Sequence, residues 1–151
     1  MSTEIVEVGD KTALICDDGP GTESLKSTLE QEGFKCHMAE TPERAIERMK
    51  YTSYDVITID QNFGGSTLEM NSVLMYLAPL PMAQRRNSFV VLIGDGFRTL
   101  DAMQAYARSV HLVVNPSDLS NMGAILKKCL ADFETFYRMY RSVLAETEEL
   151  A

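Results

Sequence analysis

Five short apolar runs punctuate the chain: Thr12–Cys16, Phe34–Ala39, Tyr54–Ile59, Ser88–Ile93 and His111–Val114. Runs that are apolar throughout, and not alternating with polar residues, read as strands covered on both faces. The segments between them follow a helical period. Leu25 and Leu29 share one face of a helix between Thr22 and Glu32 that Gly33 ends. Thr41 and Pro42 form an N-cap and a first-turn proline ahead of the apolar face Ala45, Ile46 and Met49. A third helix is expected over about Leu68–Leu77, broken by Pro79 and Pro81, with a polar loop at Gln84–Asn87. Leu100, Met103 and Ala107 line a fourth. Five βα units with buried strands predict an α/β fold, a doubly wound five-stranded parallel sheet with helices on both faces.

The last segment has a different pattern. From Ser117 to Leu150 the only breaker is Gly123, and Met122, Leu126, Cys129, Phe133, Phe136, Tyr140 and Val143 alternate spacings of four and three. That is a heptad seam. Covering a sheet this size takes about a dozen helical residues, so the body is expected over residues 1–132 and a helical extension, continuing the last helix, over 133–151. Phe133, Phe136, Tyr137, Tyr140 and Val143 would then be wet unless covered, which predicts a homodimer built on this helix about a two-fold axis.

Composition narrows the class. The 151 residues are 45% apolar and 24% charged, enough for one self-sufficient core. A formal charge of -8, from 14 basic and 22 acidic residues, argues against a nucleic-acid partner. The polar lead-in over residues 1–11 lacks a basic start followed by an apolar run, and no stretch approaches the roughly 18 apolar residues of a membrane span. A cytoplasmic protein without membrane partners is expected. Cys16, Cys36 and Cys129 form no CxxC pair and read as reduced, buried residues; His37 and His111 have no metal or catalytic partner at a readable spacing.

The candidate chemistry lies where strands end. Asp17 and Asp18 close the first run and Asp60 the third. In a doubly wound sheet these ends meet at the rim where ligands bind. Three carboxylates drawn together favour a divalent cation with oxygen ligands and bound waters, such as Mg²⁺. Gly94-Asp95-Gly96 places a further acid near the rim, for which a solvated turn residue is the plainer role.

The stretches Ala13-Leu-Ile-Cys-Asp17-Asp18 and Tyr54-Asp-Val-Ile-Thr-Ile-Asp60-Gln-Asn62 resemble the signatures of two-component response-regulator receiver domains, of the chemotaxis-regulator kind, over roughly residues 11–132. The resemblance implies a flavodoxin-like sheet in strand order 2-1-3-4-5. It also implies Asp60 as acceptor of a phosphoryl group from a histidine kinase. Asp18 and Asp60 would be carboxylate ligands of Mg²⁺, Asp17 a water-mediated one, and Asn62 a ligand through its backbone carbonyl. Three positions depart from the family pattern. Gly94 stands where a Thr or Ser would grip phosphate, Asn115 where a Lys precedes the proline, and Leu112 where an aromatic reports the phosphorylated state. Asn115 keeps a donor but no charge.

Two readings follow, both of a signalling domain and not of an enzyme. In one, Asp60 is a phosphoacceptor with an altered rim. In the other, the chain is a pseudo-receiver, an interaction and dimerisation module independent of phosphorylation. A dehalogenase-type phosphotransferase would need an Asp where Asn62 stands, and no GxxxxGK[ST] phosphate loop occurs. No effector domain is expected after the receiver-like body, so output would pass through contacts of the domain or its tail.

Overall fold

The structure, a computed structural model, describes residues 11–81, 84 and 87–150, with side chains described up to residue 147. The lead-in before Lys11 and residues 85 and 86 of the Gln84–Asn87 loop lie outside the described residues. Strands β1 (Thr12–Cys16), β2 (Lys35–Ala39), β3 (Val56–Asp60), β4 (Phe89–Ile93) and β5 (Leu112–Val114) alternate with helices α1 (Thr22–Gln31), α2 (Pro42–Tyr51), α3 (Ser72–Leu77), α4 (Ala102–Ala107) and α5 (Met122–Leu150). All pairings are parallel, in the order β2-β1-β3-β4-β5. Architecture and strand order are those expected.

Alternate strand residues feed two cores. Leu14, Ile57, Ile59 and Leu92 pack beneath Ala45 of α2, Val73 and Leu77 of α3 and Ala105 of α4. Ile15, Val56, Val91 and Val114 pack beneath Leu25 and Leu29 of α1 and Met122 and Leu126 of α5. Burial on both faces is why β1, β4 and β5 lack a polar side, whereas the edge strand β2 keeps Lys35 and His37 half-buried on one of its faces.

Two helices begin later than their apolar pattern suggests, and in both a capping side chain decides. The third starts at Ser72 and not near Leu68, because the Asn71 side chain accepts from the amides of Val73 and Leu74. The fourth starts at Ala102, capped by Asp101, after Leu100 takes a left-handed φ of 69°. That rotation turns Leu100 and Met103 outward, the latter 77% exposed, and buries Ala105 in place of the expected stripe. At the C-terminal end, Asn115 and Pro116 first set a 3-10 turn over Pro116–Asn121, and the α-helix begins at Met122.

Candidate functional site

Register assembles the rim. Cys16 pairs with Ile59, Asp60 with Ile93, and Ile93 with Val114. Asp17, Asp60, Gly94 and Asn115 therefore lie at or just beyond the carboxyl ends of four consecutive strands. The main chain continues this order past the strands, with Gln61 N–H donating to the Ile93 carbonyl (2.9 Å) and Gly94 N–H to that of Val114 (3.1 Å).

Each acid takes a backbone amide. Asp17 Oδ1 accepts from Gly19 N–H (2.7 Å), Asp60 Oδ1 from Asn62 N–H (2.9 Å), and Asp18 Oδ2 from Gly64 N–H (3.1 Å). The last bond crosses from the β3 loop to the β1 loop, and it depends on a glycine. Gly64 has φ 74°, and a Cβ there would fall 2.5 Å from Pro42 Cγ. The glycine-rich loop thus delivers an amide to Asp18 while lying against the start of α2.

Partial burial raises the proton affinity of the Asp60 carboxyl. The Asn62 amide opposes that shift, and the charges of Asp17, Asp18 and Asp95 add to it. These acids therefore feel one another across the rim, but they do not form a cation cage. Among the described residues no group of three or more His, Cys, Asp or Glu is arranged to hold a metal ion. Asp17 and Asp60 each turn an oxygen to an amide of their own loop, and Asp18 turns one to the Gly64 amide across the rim. The donor set still suits Mg²⁺, which takes one or two carboxylates and keeps several waters. Asp18 and Asp60 each commit one oxygen to an amide. The Asn62 carbonyl accepts from Gly65 N–H (2.9 Å) and retains a second lone pair. The Asn62 side chain holds the loop shut by donating to the Ser66 carbonyl (3.0 Å).

The altered positions are built into the rim. A Cβ on Gly94 would lie 2.4 Å from Gln61 Oε1 and 2.8 Å from the Phe97 ring, so the Gln61 amide fills the space a side chain at 94 would need. That amide donates to Asp95 Oδ1 (2.8 Å), which ties the exposed Asp95 to the loop after β3. Asn115 Nδ2 donates to the carbonyls of Phe97 (2.8 Å) and Asp95 (3.2 Å), while Oδ1 accepts from the Ser117 amide and hydroxyl. Its donors bind the β4–α4 loop and are not turned to a ligand. Leu112 is buried in the core beside α5.

Three contributors escaped the sequence reading. Gln61 is one. Asn71 is another: buried, it caps α3 and donates to the carbonyls of Asp60 and Gln61 (both 3.1 Å), fixing the acceptor loop from below. Thr99 is the third, accepting from the Asn115 amide and donating to Asp118. Only Asn71 carried a signal, as a cap residue before an apolar run.

No family model and no curated protein matches the sequence. Solved structures do. A response regulator from Thermotoga maritima is 16% identical, with a TM-score of 0.61 over 81% of this chain and 98% of that one. A CheY-like receiver domain from Methylobacillus flagellatus is 22% identical, with a TM-score of 0.59 over 80% and 99%. The receiver domain of a signal transduction histidine kinase from Syntrophus aciditrophicus is 21% identical, with a TM-score of 0.62 over 81% and 91%. The chain has the response-regulator receiver fold. At this identity the likeness is one of architecture.

Those domains are covered almost completely, against about four-fifths of this chain. Helix α5 runs for 29 residues. Its inner half packs on the sheet as far as Phe133, whose ring meets Phe89 (5.3 Å) and His111 (5.0 Å) edge-on. His111 stacks on Phe89 and accepts from Val90 N–H through Nδ1 (3.0 Å), so it anchors the helix and is not incidental. Phe133 thus belongs to the body, one residue past the expected boundary. Tyr137 is half-buried between neighbouring rings, while Phe136 (64%), Tyr140 (42%) and Val143 (60%) are exposed. Cys16 and Cys36 are buried thiols and Cys129 is only half-buried. Among the described residues no helix is long and apolar enough to cross a membrane.

Proposed function

We propose that this chain is a receiver-type signalling domain of a two-component phosphorelay, with Asp60 as phosphoryl acceptor and a histidine kinase as donor. The observation that carries the reading is the position of Asp60: half-buried at the carboxyl end of a central parallel strand, with Asp17 and Asp18 on the next strand loop and an amide on one oxygen. Mg²⁺ would be held by Asp18, Asp60 and the Asn62 carbonyl, with Asp17 reached through water. When bound it supplies positive charge to the transferring phosphoryl group. Output passes through protein contacts, and the exposed stripe of α5 supports a homodimer. The acidic composition supports the lack of a nucleic-acid partner, and a cytoplasmic setting belongs to the same reading.

A second reading rests on the rim itself. The hydroxyl position is filled by Gln61, the amide of Asn115 is spent on loop carbonyls, and Leu112 is core. These features favour a pseudo-receiver acting by contact alone. Intact mass after incubation with acetyl phosphate and MgCl₂ separates the two. One added phosphoryl on wild type and none on Asp60→Asn supports the acceptor; an unchanged wild type supports the pseudo-receiver.

A further inference from the structure

The rim lacks both a hydroxyl at residue 94 and a lysine at residue 115, so a phosphoryl group on Asp60 needs another donor. One side chain is placed to supply it. Gln61 follows Asp60 directly, and its side-chain carbonyl lies where a side chain from residue 94 would project, Oε1 2.4 Å from the Cβ that Gly94 does not have, so the amide must turn to bring its donor into that space. Its Nε2 is held by Asp95 Oδ1 at 2.8 Å across an exposed surface. A bond between a neutral amide and a solvated carboxylate is cheap to exchange for one to a dianionic group.

We propose that Gln61 is the phosphoryl-gripping residue of this site, its Nε2–H donor passing from Asp95 to a phosphoryl oxygen when Asp60 is modified. The role rests on Asp60 being the acceptor. In the transfer, a carboxylate oxygen of Asp60 forms a bond to phosphorus as the bond between phosphorus and the acyl oxygen of the donor breaks, and acetate leaves with that electron pair. The Gln61 amide stabilises charge on the non-reacting oxygens and moves no proton. Asp95 is the positioning residue: it parks the amide beforehand and is released by repulsion from the new charge. Gly94 is the space that lets the amide sit there.

The test is the rate of phosphoryl uptake from acetyl phosphate with MgCl₂, read by intact mass on the full chain. Gln61→Ala is expected to slow uptake about tenfold, the usual effect of removing one charge-assisted donor. Gln61→Glu, of the same size but without donors, is expected to slow it at least as much. Gln61→Ala combined with Gly94→Ser, which returns a hydroxyl to the vacated space, is expected to recover much of the loss. Wild-type rates in both single variants would overturn this role and leave Asp60 as acceptor. Faster uptake in Gln61→Ala would overturn it by making the side chain a plug, and failure of the serine to restore a slowed variant would reduce Gln61 to packing. No uptake by wild type would remove the acceptor itself, and this role with it.

Discussion

At the scale of single residues, Asp60 is held in conflict. Burial and three neighbouring acids raise its proton affinity while one amide lowers it, and the folded-state value ends above the group's ordinary one. A carboxyl that binds its proton more tightly when folded contributes most stability below the unfolded value, and that contribution is lost as pH rises through the folded one. Asp60→Asn, which keeps the shape and loses the charge, is therefore expected to melt at a higher temperature than wild type at neutral pH. The gap should close as pH falls below about 4, where the wild-type carboxyl is protonated. Thermal melts of both proteins across that range check it, and a variant less stable at neutral pH would contradict the electrostatic account. Asp17, Asp18 and Asp60 were legible because an acid ending a buried run is a local signal. Gln61 was not, since its position depends on a missing Cβ at Gly94, which only the register of β3 beside β4 brings close. Asn115 was visible as an alteration, but the partners of its amide lie in a loop that only tertiary folding brings near.

At the scale of elements, strands were the readable part and helix starts the unreadable one. Continuous apolar runs are buried on both faces, so β1, β4 and β5 followed from pattern, while β2, with Lys35 and His37, followed from its place between the Gly33 stop and the Thr41 cap. The starts of α3 and α4 turned on single caps, Asn71 and Asp101, that outweighed the apolar spacing before them. For α5 the heptad was legible, while the contacts at its exit were not: Phe133 is kept by Phe89 and His111, residues of β4 and of the lead-in to β5. Beyond it Phe136, Tyr140 and Val143 continue the same stripe into solvent. An apolar stripe of this kind is stabilised by a second copy of itself. Replacing these three together by Ser should halve the mass seen by light scattering with size exclusion, with the far-ultraviolet helical signal of the body retained. A wild type that already runs as a monomer would contradict the dimer.

At the scale of the whole molecule, one end of the sheet gathers the acids and their amide donors, while a different part of the chain, the outer half of α5, holds the exposed apolar stripe. That division suits a module that is modified at one place and read at another, and its weight rests on Asp60 being the group modified. The most direct measurement is to treat the protein with acetyl phosphate and MgCl₂, reduce any acyl phosphate with borohydride, and locate the reduced residue by peptide mass spectrometry. The account predicts a single reduced position, Asp60, absent from Asp60→Asn. Reduction at Asp17, Asp18 or Asp95, or no reduced peptide from wild type, would contradict it.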